Sequence, residues 1–186
     1  SLVELYKLIK TTTSKDTLVF YVTKEETNKL GINLENAEEN RKTNYKLRLL
    51  DIDYTHYEIP DISFESVITI PSTNFQRVCR DMSKISKVIT IKADSKHLTL
   101  KCEGEDASQE TVIGETDAGM NLDIKTDSVL ENKYSLKYLV LFTKSSALSN
   151  TCCLYLKNKF PIVIEYRLGD SQIRFLLAPL ADDHED

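Results

Sequence analysis

Residues 72–85 read STNFQRVCRDMSKI, and the spacing inside this stretch decides the fold. Phe75, Val78, Cys79, Met82 and Ile85 recur at helical intervals, so one side of a helix faces a core. Arg77, Arg80 and Lys84, at i, i+3 and i+7, line the other side as a basic stripe. Upstream, residues 66–70 are strand-like. Downstream, residues 88–92, 98–102 and 111–116 carry β-branched or alternating patterns. The unit is strand, helix, three strands.

The same order returns further along the chain. A strand near Lys133 leads into helical spacing at Tyr138, Leu141, Phe142 and Leu148, followed by strands over 152–156, 162–166 and 172–177. The first 49 residues read as the end of an earlier copy, with helical spacing at Leu2, Leu5 and Ile9 and strands over 19–22, 31–35 and 45–49. Residue identity between copies is weak, so the repeat is one of architecture. Residues 50–66, with Pro60, several acids and poor periodicity, are expected to link two domains. Residues 67–180 then form a complete second domain of α+β class. The acidic tail ADDHED, 181–186, is expected to be disordered.

Composition narrows the function. The four cysteines, Cys79, Cys102, Cys152 and Cys153, lack CxxC or metal-finger spacing, and a chain that is 41% hydrophobic needs no disulfide framework; a reducing, intracellular setting is expected. No apolar run approaches the roughly 20 residues of a membrane-spanning helix. The chain opens on Ser1, already inside a helical pattern, and is expected to be a fragment. The acid-rich stretches, Glu25, Glu26, Glu35, Glu38 and Glu39, then Glu103, Glu105 and Asp106, read as solvated loops. His56, His97 and His184 are too far apart for a local metal motif, and no glycine-rich phosphate loop is present. Neither catalysis nor a cofactor is expected.

A net charge of −5 argues against bulk attraction to nucleic acid, so any such role needs segregated cations. The helices supply them. Besides Arg77, Arg80 and Lys84, Lys137 and Lys144 lie one heptad apart on their helix, and Lys7 and Lys10 lie i, i+3 on the first. Side by side, these stripes would suit phosphates without base readout.

Five segments carry a resemblance: FQRVCRDMSKI (75–85), LLDIDYTHYEIPD (49–61), SLKYLVLFTKSSALS (135–149), FPIVIEYRL (160–168) and FLLAPLADD (175–183). In their order along the chain and in their spacing they resemble the proliferating cell nuclear antigen family of eukaryotic sliding clamps. The resemblance implies a homotrimeric ring with helices around a central hole and sheets outside, with residues 1–49 the later part of a first domain whose first unit is missing. It implies that Lys7, Lys10, Arg77, Arg80, Lys84, Lys137 and Lys144 face double-stranded DNA without reading its sequence. It further implies a groove for PIP-motif peptides of DNA polymerase, flap nuclease and ligase, built from Tyr57, Ile59, Pro60, Phe64, Pro161, Leu176, Ala178 and Pro179. Leu176 stands where the family commonly has an aromatic.

A clamp loader as partner and a nuclear location follow from the same resemblance. A subunit of a heterotrimeric checkpoint clamp is the alternative. Edge strands are hazards unless paired, so Tyr45, Leu47 and Leu49 of one subunit are expected to meet Thr111, Ile113 and Thr116 of the next, antiparallel.

Overall fold

The computed structural model describes residues 1–53, 63–115, 121–124 and 129–181. The chain divides into two compact units, Ser1–Pro60 and Asp61–Asp186. In the first, helix α1 (Leu2–Ile9) precedes strands β1 (Thr17–Tyr21), β2 (Lys29–Asn36) and β3 (Arg41–Arg48), which pair antiparallel in the order β1-β2-β3. In the second, β4 (Ser66–Pro71) and α2 (Ser72–Met82) lead to β5 (Val88–Ala93), β6 (His97–Glu103), β7 (Ser108–Gly114) and β8 (Asn121–Ile124). Then come β9 (Leu130–Ser135), α3 (Leu136–Phe142), a 3-10 turn (Thr143–Ala147), β10 (Thr151–Leu156), β11 (Ile162–Leu168) and β12 (Ser171–Leu177).

The two copies within the second unit exchange their first strands. The five-stranded sheet runs β12-β11-β10-β4-β8, so the strand that opens the first copy pairs with β10 of the second. The four-stranded sheet runs β7-β6-β5-β9, so the strand that opens the second copy pairs with β5 of the first. Neither sheet is complete without the other copy. Alternation fills one core between them: Ile68 and Ile70 of β4, Ile89 and Ile91 of β5, Leu98 and Leu100 of β6, Leu154 of β10 and Ile164 of β11 all point inward. Phe75, Val78, Cys79 and Met82 of α2 complete it, as their spacing requires. Burial of these side chains, each stabilising by about 1.5–3 kcal/mol relative to exposure, is the main force holding the unit.

Several expectations change. Strand β8 is additional, and the helix over 72–85 ends at Met82, so Lys84 falls in the turn that follows. Strand β3 begins at Arg41 and leaves Leu49 outside; β7 runs Ser108–Gly114 rather than 111–116. Leu2 does not belong to a buried stripe of α1, being 83% exposed, and the half-buried side is Leu5, Leu8 and Ile9.

The third helix is turned over relative to expectation. Leu136 and Leu139 are buried with Thr143, while Tyr138, Leu141 and Leu148 are exposed, and Phe142 is half-buried against the core. Apart from Lys137 every residue of α3 is apolar or aromatic, so spacing alone cannot choose its inner face. The 3-10 turn adds to the error, because each residue then advances by about 120° rather than about 100°.

In the first unit β1 is exposed along its whole length, Leu18, Val19, Phe20 and Tyr21 included. Its counterpart after α3, β10, pairs with β4 on one side and β11 on the other. Among the described residues β1 pairs with β2 alone.

Candidate nucleic-acid and peptide interfaces

Helix α2 lays its apolar side on the core, which forces Arg77 and Arg80 outward into solvent. The amide of Gln76 donates from Nε2 to the carbonyl oxygen of Thr143 at 2.8 Å, tying α2 to the 3-10 turn after α3. The two helices therefore lie together in the second unit, and Lys137 and Lys144 are exposed on the α3 side. Among the described residues Arg77, Arg80, Lys137 and Lys144 have no carboxylate within ion-pair distance. The ammonium of Lys137 lies 5.8 Å from the centre of the Tyr138 ring.

Of the other predicted cations, Lys84 and Lys7 are paired with carboxylates, and Lys10 has no carboxylate partner among the described residues. Lys84 Nζ contacts Asp81 at 3.0 Å. In the first unit Lys7 Nζ contacts Glu4 at 2.7 Å, and Lys10 lies 6.0 Å from the Tyr6 ring centre. Exposed pairs of this kind add little stability, but they reduce the local positive potential.

Five acids of the acid-rich stretches are paired with lysine or arginine. Glu26 bonds both Lys29 and Lys46; the hydrogen bonds from these two ammonium groups, that of Lys29 foremost, hold its carboxyl down to about 2. Glu35 pairs with Lys42, Glu38 with Lys15, Glu39 with Arg41 and Glu103 with Lys101. No group of three or more His, Cys, Asp or Glu is arranged to hold a metal among the described residues. The thiols of Cys79 and Cys152 lie in the core, where burial raises both; that of Cys152 reaches about 12.

Of the expected peptide groove, Tyr57, Ile59 and Pro60 lie outside the described residues. Phe64 is half-buried, its ring 5.4 Å from that of Tyr155 and 6.3 Å from that of Phe160. Pro161 and Pro179 are half-buried, while Leu176 and Ala178 are exposed. Register aligns Leu176 with Val163, Val163 with Tyr155 and Tyr155 with Val67, so these side chains form an apolar row across the sheet face that points away from the core, in which Leu176 is exposed while Val163 is buried. Tyr155, Phe160 and Val163 are not among the residues expected for the groove. Alternation along β10 and β11 was the available signal, since Leu154, Leu156, Ile162 and Ile164 face inward and leave their neighbours on the other face.

That face carries a charged cluster beside the row. Glu165 has a fully buried side chain that accepts from Arg167 Nε and Arg174 Nε, each at 2.6 Å, and from the Tyr155 hydroxyl at 3.1 Å. Burial pushes its carboxyl up, but the hydrogen bonds from Arg167, Arg174 and Tyr155 outweigh this and hold it below the usual glutamate value.

The expected assembly strands occupy sheet edges. Strand β3 borders the three-stranded sheet and β7 the four-stranded one. Tyr45, Leu47, Thr111 and Ile113 lie on them half-buried, Leu49 lies just past β3, and Thr116 is outside the described residues.

Residues 58–180 match the family model described as Proliferating cell nuclear antigen, C-terminal domain. The chain is 34% identical to a "Probable DNA polymerase sliding clamp 1" of Paramecium bursaria Chlorella virus 1, over 97% of this chain and 70% of that protein. It is 32% identical to the "Proliferating cell nuclear antigen" of Chaetomium thermophilum, over 100% of this chain and 73% of that one. With "Proliferating cell nuclear antigen 2" of Drosophila melanogaster it shares 30% identity, over 96% and 70% respectively. A strand-exchanged double repeat of helix and sheet, matched in sequence across nearly its whole length, makes this chain a member of the proliferating cell nuclear antigen family.

Proposed function

We propose that the protein is a DNA sliding clamp, a non-catalytic tether that encircles double-stranded DNA and recruits replication proteins. The observation that carries the reading is the set of exposed cations Arg77, Arg80, Lys137 and Lys144, which lack carboxylate partners among the described residues of a chain whose net charge is −5. Segregated positive charge on helices attracts phosphates irrespective of base sequence, and contacts that exchange readily with water permit sliding. Closure comes from a homotrimer in which β3 of one subunit adds to β7 of the next. A groove around Phe64, Leu176 and Pro179, with Tyr57, Ile59 and Pro60 of the linker, takes PIP-type peptides of polymerases, flap nuclease and ligase. A clamp loader opens the ring, and the site of action is the nucleus.

Retention on DNA tests the proposal. Intact protein loaded on nicked circular DNA should stay bound through gel filtration and be lost when the circle is linearised. Equal loss from circular and linear DNA, or a particle mass that stays monomeric at micromolar concentration, overturns the clamp reading.

A further inference from the structure

The Glu165 cluster is costly for a strand position on a sheet face. A carboxylate whose side chain is fully buried loses its hydration, and its attraction to two guanidiniums repays that loss only in part; a well-packed apolar residue there would serve stability as well or better. What the buried carboxylate does achieve is orientation. It accepts from the Nε of each arginine, and the two side chains remain 66% and 39% exposed. Two guanidiniums on one carboxylate leave a net positive charge, held rigidly by hydrogen bonds.

The cluster also has a defined place. Arg174 and Leu176 are two residues apart on β12 and share a face, with Glu165 and Val163 opposite them on β11. A step of two strand residues is about 7 Å. We infer that Arg167 and Arg174 are a carboxylate-reading pair at the end of the peptide groove, and that the peptide anchored at exposed Leu176 carries an acidic side chain about two extended residues from its anchor. This rests on the groove proposed above and adds the charge of the partner to it. Arginine pairs fixed in this way favour bidentate binding of a planar carboxylate, which sets register along the groove more than it adds affinity.

Two synthetic peptides test it, each with the same leucine and aromatic anchors. One has glutamate two residues to either side of the aromatic anchor, and the other has glutamine at both places. Calorimetric titration of the intact protein should show the glutamate peptide binding about fivefold tighter, a preference that shrinks as salt is raised. Arg174→Gln should abolish the preference while keeping the affinity for the glutamine peptide, and Arg167→Gln should reduce it. Equal affinity of both peptides for the unaltered protein overturns the inference and leaves the groove standing. Failure of both peptides to bind overturns the groove and this inference together.

Discussion

Replacing Arg77 and Arg80 by alanine isolates the cations on which the DNA reading depends. Both project from α2 away from Phe75, Val78, Cys79 and Met82, so their loss leaves the core untouched. Each phosphate contact contributes about −0.9 to the slope of log affinity against log salt. Over a fourfold rise in salt, from about 50 to about 200 mM, one contact therefore accounts for about a 3.5-fold fall in affinity and two for about 12-fold. The double variant should bind a labelled duplex more weakly at low salt, with a slope shallower by about 1.8 for each subunit in contact. Fluorescence anisotropy across a salt series measures this directly. A second variant, Asp81→Asn with Lys84→Gln, removes a pair that is closed at 3.0 Å and leaves the local net charge unchanged, so its slope should match that of the parent protein. An unaltered slope in the Arg77 and Arg80 variant would refute the reasoning, and the arginines would then be ordinary solvated side chains.

Three further outcomes are expected. Phe64→Ala removes a ring packed on Tyr155 and Phe160 and should lower stability by about 2 kcal/mol, read as a shifted urea midpoint at constant slope; an unmoved midpoint would mean that Phe64 is not anchored to its sheet. Because the Glu26 carboxyl is held below its ordinary 4.5, at about 2, its contribution is fully present above that ordinary value and is lost as pH falls through about 2. Carboxyl resonances followed by NMR should show this late titration and Lys46→Ala should move it upward, whereas an ordinary midpoint in the parent protein would contradict the pairing with Lys29 and Lys46. Iodoacetamide should modify half-buried Cys153 before buried Cys79 and Cys152 in the folded protein, and simultaneous labelling of all three, followed by mass spectrometry, would show that the core opens readily.

Legibility differed between helices for a physical reason. The outer side of α2 is charged, so Arg77 and Arg80 mark solvent and the apolar positions mark the core without ambiguity. In α3 Lys137 is the one polar residue, and Tyr138, Leu141 and Leu148 were read as buried although solvent reaches them. Strand alternation revealed the order of elements, including the repeat, but not that β4 and β9 exchange partners, because pairing between distant strands depends on the assembled core rather than on local period. Four residues of β8 were too short a run to register. In the groove, half-buried Pro161 and Pro179 and exposed Leu176 came from the resemblance. Tyr155 and Val163 cannot be told from core positions by sequence, because an outward apolar residue in a strand looks like one more inward one.

One backbone hydrogen bond has a mechanical consequence. After β12 closes the five-stranded sheet at Leu177, the amide of Leu180 donates at 2.8 Å to the carbonyl of Lys133, on the border strand β9 of the four-stranded sheet. A tether pulling on the chain beyond Leu180 would load this clasp before it could peel β12 from β11, and tension would spread through β9 into β5. A fluorophore or surface anchor attached there would thus pull on two sheets at once.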